Sequence, residues 1–309
     1  MAGTKRFNIG VPRVWAKCVL FLAGFALLLM AGEAEDSHPC GNGVKLRLSP
    51  AKPSQGSVVL VEVRSASPLA DLKAEWLGQP LHFWRESNAQ NIHRALLGVD
   101  LERPAGAFPL ALTTQLESGE RLTCSALVSV QAVRFGVEKL HVGRQFVEPS
   151  PEDAERAKRE TQRLRELFAG ATAERLWHGR FRLPVDGVQA AGNFGRRRFL
   201  NGQPRSPHSG VDFPAPAGTL VHATQRGRVA LAEELFFSGN TVVIDHGLGL
   251  YTLYGHLESI AVGVGDTVEA GDPLGRVGAT GRVTSAHLHW AVHVNEARVD
   301  PLELVKFAP

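Results

Sequence analysis

Short runs of apolar and β-branched residues, separated by turns rich in glycine and proline, extend along most of this 309-residue chain and constrain its fold more than any other feature. In the first half of the chain such runs occupy positions 58–63, 95–101, 108–113 and 124–130. Several short strands at this spacing are typical of a β-sandwich. The chain length suggests two domains, and the pattern predicts that the first is a β-sandwich-like domain over residues 40–148.

From about Phe181 onwards, glycine-rich turns separate a second set of alternating runs. These runs occupy positions 227–232, 240–245, 250–254 and 288–294, and residues 245–249 have the composition of a hairpin turn. We therefore predict a second all-β domain over residues 180–305, built as an antiparallel sheet, and a chain that is mainly β.

The segment between the two β regions has the signature of a helix. Ser150 provides an N-cap hydroxyl, Pro151 suits the first helical position, and two acidic residues follow in the first turn. Residues 152–168 are rich in Glu, Arg and Ala. We therefore expect a helical linker over residues 150–176, with its surface exposed to solvent.

The formal net charge of +3 is concentrated at the N terminus. The first 34 residues hold four basic side chains and one acidic one, which leaves 30 basic and 30 acidic residues in the rest of the chain. Such a balanced chain lacks the concentrated basic face of a nucleic-acid-binding protein. No nucleic-acid partner is therefore expected.

The N-terminal segment also has the features of an export signal. Residues 18–31 form an apolar run that follows Lys17; the run is shorter than the roughly 20 residues of a bilayer span but typical of a signal-peptide core. Gly32 and Ala34 offer the small residues expected at a cleavage site. We predict a signal peptide over residues 1–34 and an exported protein, periplasmic or secreted, with no membrane span after cleavage. An uncleaved N-terminal membrane anchor is the alternative.

Two cysteines, Cys40 and Cys124, lie outside the predicted leader. An even number of cysteines in an exported protein permits a disulfide. Neither residue has the spacing of a metal or redox site. We predict that the two form a disulfide, and a pair of buried free thiols is the alternative.

The second β region holds histidines and one carboxylate with the spacing of metal ligands. His208 and Asp212 are four positions apart, and His287 and His289 are two positions apart. A fifth residue, His256, lies between these two pairs. Two imidazoles, one carboxylate and an open fourth position suit catalytic zinc. No thiolates take part, which argues against a closed structural zinc site.

The two histidines of the His-x-His pair are expected to share one face of a strand, because side chains two positions apart project to the same side. Leu288 and Trp290 would then point to the opposite face. A His-x-His pair also occurs in cupins, but there a Glu and a later His follow it, whereas here the pair comes last. Spacing alone leaves open whether His287 or His289 binds a metal.

The ordered set of motifs resembles the lysostaphin/LytM family of zinc endopeptidases, which cut peptide bridges in bacterial cell walls. The resemblance covers about residues 180–305. It is carried by the segments 193–197, 204–213, 217–221, 243–247, 254–257, 264–268, 275–281 and 287–289. One departure is visible: the family usually has Gly-Pro before His-x-His, where this chain has Ser285 and Ala286. The resemblance implies a peptidase domain with an open groove on its antiparallel sheet.

The resemblance also implies a role for each of the five residues. His208, Asp212 and His289 would be the ligands of one Zn²⁺ per chain. His256 and His287 would orient and deprotonate the attacking water and steady the tetrahedral intermediate. The implied substrates are stem peptides or cross-bridges of peptidoglycan.

The resulting function hypothesis is an exported zinc metalloendopeptidase that hydrolyses peptide cross-links of bacterial peptidoglycan. The main alternative is a non-catalytic LytM-type protein that binds the cell wall or activates another wall hydrolase. Such relatives typically lose ligands, whereas all five site residues are present here. A third hypothesis keeps the zinc and changes the substrate, as a different exported zinc hydrolase.

Other conspicuous residues have plainer explanations. His246 is expected to make structural hydrogen bonds in the hairpin turn, and Trp76 and Trp84 are expected to pack in a core or at its rim. His293 shares the ligand face of its strand, but a surface or rim position is favoured over the groove. The arginines at 196–198 either edge the groove or form a solvated charge run.

Overall fold

Two antiparallel sheets make up the N-terminal β region of the computed structural model, which describes residues 1–3, 37–85, 89 and 91–307. The strands are β1 (Ser37–Gly41), β2 (Val44–Ser49), β3 (Val58–Arg64), β4 (Leu69–Trp76), β5 (Gln79–Pro80), β6 (Trp84–Arg85), β7 (Ile92–Gly98), β8 (Gly106–Leu116) and β9 (Arg121–Val130). One sheet has the order β1-β2-β3-β7-β6, and the other has the order β5-β4-β8-β9.

The inner faces of these two sheets share one apolar core. Along β2, Val44, Leu46 and Leu48 are buried while the residues between them are exposed, which is the alternation of a strand covered on one face. Trp76 of β4 and Leu110 of β8 are buried in the same cluster. The predicted β-sandwich, and the packing role predicted for Trp76, are confirmed.

A disulfide joins the two sheets of the sandwich. Cys40 lies in β1 and Cys124 in β9, and their Cα atoms are 5.4 Å apart. Both are edge strands, one in each sheet, so the bond closes the sandwich along one side. The predicted pairing is confirmed.

The segment after the sandwich contributes one strand to a sheet formed with residues of the C-terminal region. It contains β10 (Val137–Leu140), a 3₁₀ turn (Arg144–Phe146) and α1 (Pro151–Ala169). β10 pairs in parallel with β11 (Arg197–Leu200), which pairs antiparallel with β12 (Gln203–Arg205). A strand within residues 40–148 thus completes a sheet of the C-terminal region. Residues Ser37–Pro309 form one compact unit, and the division of that unit into two domains stays a prediction.

A large antiparallel sheet forms the C-terminal region, as predicted. Its elements are β13 (Gly210–Phe213), β14 (Leu220–His222), β15 (Gly227–Leu235), β16 (Gly239–Asp245), β17 (Leu250–Ile260), β18 (Thr267–Val268), β19 (Pro273–Val277), β20 (Leu288–Val294) and β21 (Ala297–Val299), and α2 (Pro301–Lys306) follows. The strand order is β13-β20-β17-β16-β15-β18, with β19 pairing β14 and β17, and β21 pairing β20. The turn between β16 and β17 is the predicted hairpin.

Strand β20 has two chemically different faces. Leu288, Trp290, Val292 and Val294 are all fully buried in the main core of the sheet. The residues between them point to the other face, because side chains alternate along a strand. The apolar residues therefore anchor β20, and its opposite face is left to carry imidazoles.

Helix α1 begins where the sequence predicts but does not lie free in solvent. The Ser150 hydroxyl accepts a hydrogen bond from the Asp153 N–H at 3.1 Å and caps the helix. Phe168 is buried, and Leu164 and Leu167 pack beside it against residues of β15, β17 and β20. The expected solvated surface is wrong for this side of the helix, because its apolar stripe covers the sheet.

Direct contacts join the sandwich to the end of the large sheet. Arg298 of β21 makes a bidentate ion pair with Asp100, at 2.9 and 2.8 Å. The ring of Trp84 lies 5.2 Å from that of Trp177, edge to face, and both residues are buried as a core role for Trp84 predicts. The ion pair of Arg298 attaches the sandwich to β21, which pairs with the end of β20.

The predicted signal peptide over residues 1–34 lies outside the described residues, apart from the first three. Within the described ranges, no helix has both the length and the apolar character needed to cross a bilayer.

Candidate metal centre

Strand register brings together two of the predicted metal ligands. In the antiparallel pair of β13 and β20, Asp212 lies directly opposite His289. Residues directly opposite one another on paired strands project to the same face. Gly210 leaves the space that the imidazole needs, since a Cβ atom there would lie 2.8 Å from His289 Cε1 and 2.3 Å from the Trp290 carbonyl oxygen.

His208, Asp212 and His289 place three donor atoms at the corners of a small triangle. His208 Nε2 lies 2.9 Å from His289 Nδ1 and 3.1 Å from Asp212 Oδ1, and His289 Nδ1 lies 3.0 Å from Asp212 Oδ1. Ligand atoms about 2.0–2.1 Å from a tetrahedral zinc are about 3.3 Å from one another. The triangle matches that spacing to within a few tenths of an ångström, so the three residues fit a metal ion.

The hydrogen bonding of His208 leaves the correct nitrogen free for a metal. Its Nδ1 lies 3.1 Å from the carbonyl oxygen of Asn193, and a carbonyl can only accept, so Nδ1 carries the hydrogen. In the neutral imidazole, Nε2 then presents a lone pair toward Asp212 and His289.

Asn193 also holds Asp212 in place. Its side-chain amide donates to Asp212 Oδ2 at 2.8 Å, and its side-chain oxygen accepts from the Asp212 backbone N–H at 3.1 Å. Partners of this kind orient metal ligands in protein sites. In the sequence, Asn193 stands out only as the first residue of a segment that carries the family resemblance, and no spacing signal there indicates that it holds a ligand.

A β-bulge directs His256 into the site. Val242 of β16 pairs with Tyr254, whereas Asn240, two residues earlier, pairs with Leu257, so β17 has one extra residue at this point. His256 adopts φ +65°, the left-handed region that few residues other than glycine occupy. Its Nδ1–H donates to the Thr280 carbonyl at 2.8 Å, which leaves a lone pair on Nε2. Bulges of this kind often re-aim a side chain beside an active site.

His287 lies just before β20 and faces the same side as His289. Its Nδ1–H donates to the Ser285 carbonyl at 2.8 Å, and its Nε2 lies 3.7 Å from Asp212 Oδ1. The His287 ring is 4.9 Å from that of His256. The structure therefore brings all five predicted site residues together, with His256 and His287 adjacent to the donor triangle.

Burial and hydrogen bonding set the charge state of the site. Burial alone would raise the pKa of Asp212, but the imidazoles of His208 and His289 next to its carboxylate hold that pKa well below its usual range. Burial lowers the pKa of His289 to about 4 and that of His256 to about 3, to which the charges of His289 and His287 also contribute. At neutral pH these imidazoles are neutral, the form that binds a metal or accepts a proton.

The donor triangle opens into a cavity of about 260 Å³, of which α1 forms one wall through Leu164 and Phe168. His293 lines this cavity and stacks on Phe168 with ring centroids 3.8 Å apart. The rim position favoured for His293 is therefore wrong, because α1 covers the face that would otherwise be open. Of the three consecutive arginines, Arg198 faces this cavity, with Nη2 3.5 Å from Asp212 Oδ2, whereas Arg197 is exposed.

The chain is similar to known proteins in both sequence and structure. The sequence profile of peptidase family M23 matches residues 206–301. A crystal structure of a Pseudomonas aeruginosa protein assigned to peptidase M23 is 31% identical, covers 82% of this chain and 95% of its own, and superposes with a TM-score of 0.65. The chain belongs to peptidase family M23. The resemblance seen in the sequence is thereby confirmed.

Two curated relatives of this M23 family member have assigned activities. Peptidoglycan DD-endopeptidase ShyA of Vibrio cholerae serotype O1 is 32% identical over 208 residues, which is 67% of this chain and 44% of ShyA. DD-carboxypeptidase/endopeptidase Mpg of Neisseria meningitidis serogroup B is 37% identical over 102 residues, which is 33% of this chain and 24% of Mpg. The chain thus spans less than half the length of these relatives.

One further histidine of this M23 family member has the structural role predicted for it. His246 is fully buried in the turn between β16 and β17. Its Nδ1–H donates to the Arg226 carbonyl at 2.8 Å, and its Nε2 accepts from the Thr252 hydroxyl at 2.8 Å. Burial lowers the pKa of His246 to about 4.

The buried His246 is expected to make the protein less stable in mild acid. In the unfolded chain a histidine takes up a proton near pH 6.5, whereas His246 in the folded chain does so only near pH 4. The unfolded state therefore binds more protons between these pH values, and the free energy of unfolding falls as pH is lowered through that window. The contribution of His246 is on the order of 3 kcal/mol.

Urea unfolding between pH 4 and 7 measures this effect. His246→Gln keeps polar groups at the site but removes the titration, so its free energy of unfolding should vary less with pH than that of the wild type. Identical pH dependence in the two proteins would contradict the prediction.

Proposed function

We propose that this protein is an exported zinc metalloendopeptidase that hydrolyses peptide cross-links of bacterial peptidoglycan. The observation that supports this most directly is the triangle of donor atoms from His208, Asp212 and His289, with two more imidazoles beside it. Three nitrogen and oxygen ligands that leave a fourth position open are typical of catalytic zinc. The substrate is inferred from the relatives named as peptidoglycan endopeptidases, and export is inferred from the N-terminal sequence.

The ligand set suits the chemistry of peptide hydrolysis. A Zn²⁺ ion bound there would lower the pKa of a water molecule toward 7 and polarise the scissile carbonyl. His208 and His289 supply neutral nitrogen donors, and Asp212 supplies one negative charge. Asn193 fixes two of these ligands through its side chain and backbone, so the donor atoms are already arranged for the metal.

We assign proton transfer to the two histidines outside the triangle. His256 and His287 each donate Nδ1–H to a backbone carbonyl, so Nε2 is the basic atom in both rings. In this proposal these nitrogens accept a proton from the attacking water and return it to the leaving amine. A protonated ring can also donate a hydrogen bond to the oxygen that gains negative charge in the transition state.

The apolar lining of the cavity would partly shield a bound peptide substrate from water. Phe168, Leu164 and Leu253 provide apolar lining beside the imidazoles. Electrostatic interactions are stronger where water is excluded, so this lining favours proton transfer between the histidines and a bound peptide.

The proposal is tested by incubating the purified chain, loaded with one equivalent of Zn²⁺, with defined cross-linked muropeptides. Mass spectrometry should show products that have gained one water at a peptide cross-link. Treatment with a chelator should stop the reaction, and added Zn²⁺ should restore it. Metal-loaded protein that binds the wall without cleaving any cross-link would instead support the non-catalytic alternative.

A further inference from the structure

Among the described residues, one cationic side chain in the cavity has no acidic partner. Arg282 lines the same cavity as His256 and His289. Across the described ranges of the chain, no carboxylate lies within ion-pair distance of its guanidinium, whereas Arg198 on the same cavity is paired with Glu138 at 2.9 Å. An unpaired charge in a half-buried position is costly, so an anionic partner from outside the protein is expected.

Neighbouring positive charges make an anionic partner for Arg282 more favourable. Burial, together with the positive charges of Arg198 and Arg205, lowers the pKa of Arg282 to about 10, so the guanidinium stays protonated at neutral pH. Arg205 donates to uncharged oxygens, those of Pro204, Val147 and Gln203. Because Glu138 pairs with Arg198, the excess positive charge near this side of the cavity comes from Arg282, which lines it, and from Arg205 nearby.

The backbone holds Arg282 in a defined position. Its N–H donates to the Phe237 carbonyl at 2.8 Å, and its guanidinium carbon lies 4.4 Å from the centre of the Phe237 ring. The preceding Gly281 has φ +72°, and a Cβ atom there would lie 2.4 Å from the backbone nitrogen of Gly239. Stacking and close backbone packing therefore present the guanidinium without the freedom of a surface arginine.

The same loop is tied to the proposed proton carrier. The Thr280 carbonyl accepts from His256 Nδ1–H at 2.8 Å, and the Thr280 hydroxyl donates to the Leu257 carbonyl at 2.8 Å. Arg282 is two residues further along. A group bound by Arg282 would therefore lie at a fixed distance from His256, the proposed proton acceptor.

We propose that Arg282 is a specificity-determining residue that binds a carboxylate of the peptide substrate next to the scissile bond. This inference rests on the proposed function. A guanidinium binds a carboxylate through two parallel charge-assisted hydrogen bonds. The favoured substrates are therefore peptides with a free carboxylate beside the cleaved amide, and amidation of that carboxylate removes the preference.

The proposal is tested with the full chain loaded with Zn²⁺ and two muropeptides. The two differ only at this carboxyl group, which is free in one and amidated in the other. Arg282→Gln should raise KM for the free-acid substrate about tenfold to a hundredfold, since hydrogen bonds to charged groups are among the strongest. Its kcat should change less than about threefold, and its KM for the amidated substrate should match that of the wild type. Arg282→Lys, which keeps the charge, should recover part of the loss.

Arg228→Gln is the matched control, because Arg228 is exposed and does not line the cavity. This variant should behave as the wild type on both substrates. An Arg282→Gln protein that loses the same factor on both substrates, or none on either, would overturn the inference. Cleavage of neither substrate by the wild type would overturn the proposed function instead.

Measurements on the wild type alone keep the inference testable if Arg282→Gln does not fold. The wild type should have a lower KM for the free-acid substrate, and the difference should shrink as ionic strength rises, because salt screens charge pairs. Equal KM values for the two substrates at low salt would overturn the proposal.

Discussion

Replacing His208 or His289 with alanine is expected to abolish metal binding and muropeptide cleavage together. Each residue supplies one corner of a triangle whose edges are 2.9 to 3.1 Å. With two donors left, the site no longer has the three protein ligands of catalytic zinc. Cleavage should fall by at least about a thousandfold, since the loss removes both the activated water and carbonyl polarisation.

Replacing His287 is expected to reduce cleavage without loss of the metal. Its Nε2 lies 3.7 Å from Asp212 Oδ1, outside the donor triangle. His287→Ala should therefore keep the metal and lower kcat by about a hundredfold to ten-thousandfold, the usual contribution of general acid–base catalysis.

Metal content after dialysis and kcat/KM on a muropeptide measure the two effects. His222→Ala is a control, because His222 donates to the Gly271 carbonyl at 2.9 Å and does not line the cavity. Full cleavage by the His289→Ala protein would rule out the proposed mechanism. Loss of metal from His287→Ala would contradict the separation of roles.

Reduction of the disulfide between Cys40 and Cys124 is expected to lower the free energy of unfolding by about 4 kcal/mol. In the chain-entropy account, a cross-link stabilises by restricting the unfolded chain, and the effect grows with the length of the closed loop. This bond joins residues 84 positions apart, so the loop is long. It also joins the edge strands of the two sheets, which would otherwise separate at this side.

Urea unfolding with and without reductant measures the effect. The double variant Cys40→Ala/Cys124→Ala should unfold at the lower urea concentration under both conditions. Cleavage in the absence of denaturant should be unchanged, because neither cysteine lines the cavity. Equal unfolding midpoints for the oxidised and reduced wild type would contradict this prediction.

Local patterns in the sequence predicted the parts of the fold that depend on neighbouring residues. The runs that became β15, β16, β17 and β20 lie at the predicted positions, because alternation and turn residues report on the backbone nearby. The start of α1 after Ser150 follows in the same way from capping chemistry. The burial of Leu288 and Trp290 on one face of β20 needed only the two-residue period of a strand.

Features that depend on distant residues could not be predicted in this way. α1 has an apolar side, but only the sheet beneath it shows that Phe168 is buried against His293. β10 lies next to the sandwich in sequence, yet it pairs with β11 about 60 residues later. The lack of an acidic partner for Arg282 among the described residues could not be predicted from the sequence either, since it depends on every residue that surrounds the cavity.

The metal site shows most clearly which features follow from local sequence and which depend on the fold. The motifs were enough to predict a mainly β chain with five histidine and aspartate residues at ligand-like spacing, because the spacing within each motif is a local property. They left His287 and His289 equivalent. Only the tertiary structure, through the register that sets Asp212 opposite His289 and the bulge that turns His256 inward, decided which donor atoms meet. Register and bulges arise from hydrogen bonds between strands far apart in sequence, so no local pattern specifies them.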